Sequence, residues 1–212
     1  MKKTTITLLF TLLVAVMYAQ ELHFGVSAGP NLSTARLIPK SDFEQPKFVV
    51  GFQIGAFAEW SLAGNISLRP ELNYQTLGYK FPPEDGLYGY RHKSSYITPA
   101  VMVKYSIAEK LKIGLGPYVS AKVVAKSKRI PISDDDIENE EEGWFDYTDE
   151  DNDEYSGFDY GLGAGVSYQL LPKLGVTLGY NHGLYNIFKV ENTDGAKAHN
   201  RYFTLGLSYM IR

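Results

Sequence analysis

Apolar and polar residues alternate along much of the chain, and residues 157–170 show this pattern most clearly. The apolar positions there are Phe158, Tyr160, Leu162, Ala164, Val166, Tyr168 and Leu170. A period of two predicts a β-strand, because the faces of a helix repeat every 3.6 residues. Glycine holds many of the polar-face positions, which favours a crowded interior over open water. The pattern therefore predicts a narrow barrel whose apolar face is turned outward, towards lipid.

Eight segments carry this alternation over a length that suits a membrane-crossing strand. A strand tilted by about 45° needs roughly 9–11 residues to cross the hydrocarbon core. The predicted strands are 22–32, 48–60, 66–78, 95–107, 111–125, 157–170, 174–187 and 201–211. Long connections alternate with short turns, which is typical of barrels with extracellular loops and periplasmic turns. We predict an all-β fold, an eight-stranded antiparallel up-and-down transmembrane β-barrel with both termini in the periplasm.

The opposite orientation of the two faces is the main alternative. A soluble eight-stranded cup that holds an apolar ligand would turn its apolar face inward. The predicted strands are longer than the roughly five or six residues common in globular sheets. Aromatic residues such as Phe48, Trp60 and Tyr202 lie near strand ends, where a membrane meets water. Together with the glycine-rich polar face, these observations favour the membrane barrel.

The N-terminal segment has the layout of a secretory signal peptide. Lys2 and Lys3 precede an apolar stretch over 6–16, and Ala19 lies at the expected cleavage point. We predict a signal peptide over 1–19 and one mature domain, the barrel, over 20–212. The chain contains no Cys, so we expect neither a disulfide framework nor a lipoprotein anchor.

Several stretches resemble a known family of outer-membrane proteins. They are 25–33 (GVSAGPNLS), 51–59 (GFQIGAFAE), 68–74 (LRPELNY), 179–187 (GYNHGLYNI) and 205–209 (LGLSY). These stretches are similar to the outer-membrane β-barrel family of Bacteroidota often called PorT-like or porin-family. The resemblance implies an outer-membrane barrel and says little about activity, because most members are named for the barrel. It also implies contact with the barrel-insertion machinery, for which Tyr209 would serve in place of a C-terminal aromatic residue.

Ionisable residues fall on the polar face of several predicted strands and would point into the lumen. Those expected to form an ion-pair network are Glu59, Arg69, Glu71, Lys104 and Asp159. Eight strands enclose a lumen only wide enough for side chains to fill, and charges there must be paired because isolated buried charge is costly. We predict a plugged lumen centred on Arg69, whose planar guanidinium can bind two carboxylates. A narrow path for ions or protons is the alternative.

The connection at about 126–156 carries the densest charge in the chain. Residues 134–154 include thirteen acidic residues and no basic one, although the net charge of the whole chain is only −3. Such a run predicts a solvated extracellular loop. A Ca²⁺ site formed by Asp149, Asp151, Asp153 and Glu154 is the second interpretation, because calcium takes about six to eight oxygen ligands. Trp144 and its aromatic neighbours also favour a contact patch for a protein or glycan.

These features favour a non-enzymatic protein of the outer membrane. Among the four histidines, His92 beside Ser94 and Ser95 is the only local candidate for a hydrolase pair. We expect no cofactor apart from calcium at the acidic loop. Lipid, the insertion machinery and other envelope proteins are the expected partners, and nucleic acid is not, since phosphate contacts need clustered basic residues. The protein would act as a structural, binding or accessory component; a small pore or cation-linked transporter is the alternative.

Overall fold

Every segment in which apolar and polar residues alternate forms a β-strand. The structure, a computed structural model, describes residues 22–38, 45–83, 89–130, 145–146, 156–188 and 197–211. Its strands are β1 (Leu22–Ile38), β2 (Lys47–Ala63), β3 (Ile66–Phe81), β4 (Gly89–Ala108), β5 (Leu111–Ile130), β6 (Phe145–Asp146), β7 (Phe158–Leu171), β8 (Leu174–Gly183) and β9 (Lys197–Met210). In these ranges no helix has the length and hydropathy needed to cross a membrane.

The eight long strands form a closed ring. Their order is β4-β3-β2-β1-β9-β8-β7-β5, and β4 pairs with β5 to complete the circle. The first and last strands pair antiparallel, with Gly25 opposite Met210 and Ile38 opposite Lys197. The two-residue strand β6 lies outside the ring and pairs with the extracellular part of β5. The predicted eight-stranded up-and-down barrel is therefore confirmed.

Short turns join the strands at one end of the barrel. In outer-membrane barrels this is the periplasmic end. The turns are residues 64–65, 109–110 and 172–173. Gly64 has φ of 58°, a left-handed conformation that glycine adopts without a Cβ penalty. The short turns therefore lie where the sequence predicted them, and they hold consecutive strands in antiparallel register.

Several strands extend further towards the extracellular end than the sequence predicted. β1 ends at Ile38 rather than residue 32, β4 begins at Gly89 rather than residue 95, and β5 ends at Ile130 rather than residue 125. The added residues are mostly polar on both faces, so the apolar alternation stops before the hydrogen-bonded ladder does. β8 is shorter than predicted and ends at Gly183 instead of residue 187.

The apolar face of the barrel points outward. Phe203, Leu205 and Leu207 on β9 are 45%, 51% and 55% exposed, whereas Thr204, which lies between Phe203 and Leu205, is 7% exposed. A band of exposed apolar side chains with polar residues in the lumen is the arrangement of a transmembrane barrel. A soluble cup would have the reverse orientation.

Candidate functional site

A group of charged side chains, here called the ion cluster, lies in the lumen near the periplasmic turns. Its members are Glu59 on β2, Arg69 and Glu71 on β3, Lys104 on β4 and Lys112 on β5. Each belongs to the inward series of its strand, because side chains alternate between the two faces of a sheet. The closeness of these strand positions to the turns brings the five groups to a similar depth.

Glu59 is the centre of the ion cluster. One carboxylate oxygen, Oε1, lies 2.5 Å from Lys112 Nζ. The other, Oε2, lies 3.6 Å from Arg69 Nη1 and 4.0 Å from Lys104 Nζ. The Ser67 hydroxyl donates a hydrogen bond of 3.3 Å to Oε1. One buried carboxylate thus meets three cations, and the contact with Lys112 reaches across the lumen from β5 to β2.

Arg69 is fixed by groups on both sides of its guanidinium. Its Nε lies 2.7 Å from Glu71 Oε1, and its guanidinium carbon lies 3.5 Å from the centroid of the Phe57 ring. A cation over an aromatic face is attractive. Gly25 on β1 leaves space for this ring, because a Cβ there would contact Phe57. The structure therefore brings together four of the residues predicted for the ion-pair network, namely Glu59, Arg69, Glu71 and Lys104.

A second group, here called the tyrosine layer, crosses the lumen nearer the extracellular end. Its members are Gln75, Tyr96, Thr98, Tyr118, Ser120 and Tyr202. All are buried, with exposed fractions between 0% and 4%. The rings of Tyr118 on β5 and Tyr202 on β9 meet at a centroid distance of 6.0 Å and an angle of 66°. This edge-to-face contact spans the lumen, since β7 and β8 separate the two strands in the ring.

Hydrogen bonds connect side chains of the tyrosine layer that belong to different strands of the barrel. The Gln75 side-chain amide donates to Thr98 Oγ1 at 2.9 Å and to the Tyr202 hydroxyl at 3.1 Å. The Thr98 hydroxyl lies 2.8 Å from that of Ser120, so the row continues onto β5. Buried polar groups that are satisfied in this way hold one arrangement of the interior. The tyrosine layer is therefore a neutral closure of the lumen.

Glycine on β7 makes room for the tyrosine layer. Gly161 lies directly opposite Tyr118 on the neighbouring strand. A Cβ at Gly161 would lie 2.7 Å from the Tyr118 hydroxyl and would also meet the carbonyl of His182. The glycine-rich polar face of this strand thus corresponds to space that other side chains fill.

Asp159 does not belong to the ion cluster in which the sequence placed it. It is 0% exposed and accepts a hydrogen bond of 3.0 Å from Asn200 Nδ2. The reason is its depth: Asp159 is the second residue of β7 at the extracellular end, whereas Glu59 and Lys104 lie near periplasmic turns. A shared inward face does not bring two residues together when they lie at different heights along the barrel.

A small polar cavity separates the ion cluster from the tyrosine layer. Its volume, counted as the space open to the centres of water molecules, is about 90 Å³. Besides the two layers, residues such as Ser27, Gln53, Asn73 and Thr177 line it. A buried water needs roughly 10–15 Å³ by this measure. The cavity has room for several waters, which would be enclosed between a charged layer and a neutral one.

His92, the candidate base, lies in a row of hydroxyl groups at the extracellular end of the lumen. Its Nε2 lies 2.9 Å from Ser94 Oγ, and its Nδ1 lies 2.9 Å from Ser127 Oγ. The ring also packs against Tyr79 at a centroid distance of 5.3 Å. Ser94 is only 3% exposed, and a nucleophile must reach its substrate. The arrangement favours a structural hydrogen-bond row over a hydrolytic pair.

The predicted calcium ligands lie outside the described residues. These are Asp149, Asp151, Asp153 and Glu154, and the predicted signal peptide over 1–19 is outside them as well. Both stay predictions. Within the described ranges, no group of three or more His, Asp or Glu side chains is placed to hold a metal ion.

Several solved structures are similar to this chain. Neisserial surface protein A aligns with a TM-score of 0.50 and 16% identity, over 88% of this chain and 96% of that chain. The attachment invasion locus protein Ail of Yersinia pestis aligns with a TM-score of 0.48 and 13% identity, over 90% and 99%. The outer membrane protease OmpT from Escherichia coli aligns with a TM-score of 0.43 and 12% identity, over 90% and 96%. At these identities the similarity concerns the fold alone.

A comparison with curated proteins gives no match. The family described as "Outer membrane protein beta-barrel domain" matches residues 18–189, which is most of the chain. The match agrees with the closed ring, the outward apolar face and the outer-membrane location. The PorT-like subgroup and the origin in Bacteroidota stay predictions. This chain belongs to the outer membrane protein beta-barrel domain family and is a protein of the outer membrane.

Proposed function

We propose that the protein is a closed, non-enzymatic barrel that serves as a structural, binding or accessory component of the outer membrane. The observation that carries this proposal is the pair of closures in its lumen. The ion cluster blocks the periplasmic part with five charged side chains, and the tyrosine layer blocks the lumen nearer the cell surface. A barrel whose lumen is blocked at two levels is suited to holding other parts of the chain at the surface.

Ion passage would have to break both closures. A permeating ion must separate Glu59 from Lys112, and removal of a partner from a buried ion pair is costly. It must also part Tyr118 from Tyr202 and break the hydrogen bond from Gln75. The two barriers are chemically independent, so a single fluctuation does not open the lumen.

The second candidate function is a small pore, and the cavity between the layers favours it. Its polar lining has room for water, so a path would need only the two layers to move. The periplasmic entrance of the lumen is also polar, because the Lys112 side chain lies there and is 31% exposed. This candidate requires both layers to open in the membrane.

Planar-bilayer recording separates the two functions. We expect the unmodified protein to give no steady conductance steps. Removal of the tyrosine layer by Tyr118→Ala with Tyr202→Ala should leave the barrel closed by the ion cluster. Adding Glu59→Ala and Arg69→Ala should produce steady currents. Steady currents from the unmodified protein would overturn the closed barrel, and currents from the tyrosine variant alone would show that the ion cluster is no barrier.

The non-enzymatic part of the proposal has its own test. A fluorophosphonate probe forms a covalent bond with activated serines, and Ser94 is the hydroxyl held against His92. We expect no labelling of the folded protein in vesicles. Labelling that is lost in both Ser94→Ala and His92→Gln variants would instead indicate a hydrolase.

A further inference from the structure

A second hollow, here called the basic vestibule, lies below the ion cluster at the periplasmic mouth of the lumen. Its cationic lining residues are Arg69 on β3, Lys104 on β4, Lys112 on β5, Lys110 in the turn after β4 and Lys173 in the turn after β7. Among the described residues that line it, Glu59 is the one acidic side chain. Five cations around one carboxylate make the vestibule strongly positive.

Lys104 is the innermost lysine of the vestibule, and its charge is only partly balanced. The residue is 5% exposed, and its Nζ lies 4.0 Å from Glu59 Oε2. Nζ also donates a hydrogen bond of 3.3 Å to the Ser167 hydroxyl. The other oxygen of the same carboxylate lies against Lys112. Because a buried charge needs a close partner, Lys104 is a donor that an anion in the vestibule would satisfy.

Lys110 and Lys173 form the rim of the vestibule, where it opens to the periplasm. Both are exposed residues of the short turns. Lys173 Nζ donates a hydrogen bond of 3.3 Å to the backbone carbonyl of Ile211. In the described part of the chain, neither lysine forms an ion pair with a carboxylate. The rim therefore presents two ammonium groups to an ion that enters from the periplasm.

The charges at this end of the barrel do not balance. The five cations of the vestibule meet three acidic residues in the described ranges, Glu59 and Glu71 in the ion cluster and Glu109 in the turn after β4. The remaining acidic residues of those ranges, Asp146 and Asp159, lie at the extracellular end. Five cations against three carboxylates leave an excess of two positive charges, which is the charge that a dianion neutralises.

The vestibule has the size of a small ion with some of its water. Its volume, counted as the space open to the centres of water molecules, is about 60 Å³. A buried water needs roughly 10–15 Å³ by this measure. The vestibule therefore has room for several water-sized atoms at once. Gln169 and Ser208 add polar groups to its wall.

We propose that the basic vestibule binds a small tetrahedral dianion from the periplasm, of the class of inorganic phosphate and sulfate. A phosphate group carries about −1.5 to −2 charges at pH 7, and its oxygens accept hydrogen bonds in several directions at once. Lys104 meets the ion from the inside and Lys112 from the barrel wall, while the two rim lysines meet it from the periplasmic side. The bound dianion removes the excess charge below the ion cluster and so stabilises the folded barrel.

The test measures binding of inorganic phosphate to the full chain in micelles of dodecyl maltoside, whose sugar headgroup contains no phosphate. Isothermal titration calorimetry at constant ionic strength should show saturable binding of one phosphate per chain, and sulfate should compete with it. A ligand that binds the folded state raises the thermal unfolding midpoint. We expect phosphate to raise the midpoint by several degrees. A rise as large with chloride at the same ionic strength would show general screening and would overturn the proposal.

Two double variants localise the site. Lys110→Gln with Lys173→Gln removes the rim charges and should weaken phosphate binding by about tenfold or more. The midpoint without phosphate should stay the same, because exposed charges in turns contribute little to stability. Lys47→Gln with Lys197→Gln removes the same charge at the extracellular ends of β2 and β9 and should keep the full affinity. Equal affinities in the two double variants, or no saturable binding by the unmodified protein, would overturn the proposal.

Glu109→Gln tests the sign of the electrostatic effect. Glu109 precedes Lys110 in the turn, so its neutralisation makes the mouth of the lumen more positive. The affinity for phosphate should rise by about two- to threefold, opposite to the change in the rim variant. A weaker affinity would mean that the conformation of the turn, and not its charge, governs binding, which would overturn the proposal.

Lys104→Gln distinguishes a site inside the lumen from an attraction to the exposed turns alone. The variant removes a cation from a region with excess positive charge, so the barrel should still fold. Phosphate binding should be lost although both rim lysines remain. Unchanged binding in this variant would place the anion outside the vestibule and would overturn the proposal. If the variant does not fold, the rim variant and its extracellular control still decide the matter.

Discussion

The ion cluster and the tyrosine layer close the same lumen with different chemistry. In the ion cluster, Glu59 holds Arg69, Lys104 and Lys112 within 4.0 Å, so one carboxylate serves three cations. In the tyrosine layer, neutral rings meet edge to face and hydrogen bonds run through Gln75 and Tyr202. The first closure depends on charge balance, and the second depends on shape.

The two closures should therefore fail in different ways. The ion cluster fails when one partner is removed, because the remaining charges stay buried without compensation. The tyrosine layer fails when the space for a ring is lost or when a hydroxyl acceptor is removed. Substitutions that keep volume and change charge test the former; substitutions that keep charge and change volume test the latter.

Glu59→Gln is expected to have the largest effect. It keeps the volume of the side chain and leaves three cations around a neutral group, so it should lower the free energy of unfolding by about 3–5 kcal/mol. Urea unfolding in vesicles measures the change. Glu71→Gln is the matched control, because within the described residues Glu71 forms an ion pair with one cation, Arg69, and accepts a hydrogen bond of 3.3 Å from Asn73 Nδ2, and its side chain is 20% exposed. Equal losses in both variants would contradict the central place of Glu59.

Gly161→Ala is expected to have the next largest effect. The added methyl group meets the Tyr118 hydroxyl and the backbone of β8, and overpacking of this kind costs about 1–3 kcal/mol. Gly157→Ala serves as control, because a Cβ at Gly157 has nothing within 4 Å. Both are compared by urea unfolding. A loss at Gly157 as large as that at Gly161 would indicate a general glycine effect rather than crowding by the ring.

Tyr202→Phe is expected to have the smallest of the three effects. It removes the acceptor of the 3.1 Å hydrogen bond from Gln75, which costs about 1–2 kcal/mol for a buried group. Tyr118→Phe should lower stability by less than Tyr202→Phe does, since the buried Tyr118 hydroxyl lies beside Tyr202 and Asp159 but forms no hydrogen bond of good geometry with them. The difference between the two midpoints in urea measures the contrast. The reverse order would mean that the hydroxyl of Tyr118 is the one that holds the layer.

The ion cluster could be predicted from the sequence, whereas the tyrosine layer could not. Alternation assigns Glu59, Arg69 and Lys104 to the lumen, and charge then requires them to pair. Tyrosine gives no such signal because it occurs on both faces: Tyr118 is 3% exposed and Tyr160 is 43% exposed. The alternation on β5 places Tyr118 among small residues on the lumen side. Its partner Tyr202 is distant in the chain, so the sequence does not indicate that the two rings meet.

The alternation of apolar and polar residues does not indicate how far along the barrel axis Asp159 lies from the ion cluster. The alternation correctly assigned its side chain to the lumen, and its position beside the acidic connection already placed it far from the periplasmic turns.

The alternation also did not predict where the strands end. An apolar alternation records only the part of a strand that faces lipid, while backbone pairing of β4 and β5 continues to Gly89 and Ile130. The apolar alternation therefore stops where the strand leaves the hydrocarbon core, although the strand itself continues.

The pairing of β1 with β9 makes the barrel dependent on its last strand during biogenesis. Before β9 is in place, β1 and β8 each present an open edge, and every unpaired backbone group in hydrocarbon costs several kcal/mol. A partly assembled sheet therefore has to be shielded from lipid until the C-terminal strand arrives. A synthetic peptide that copies Lys197–Met210 should compete for the edge of β1 and act as an inhibitor of assembly, leaving a mature barrel untouched.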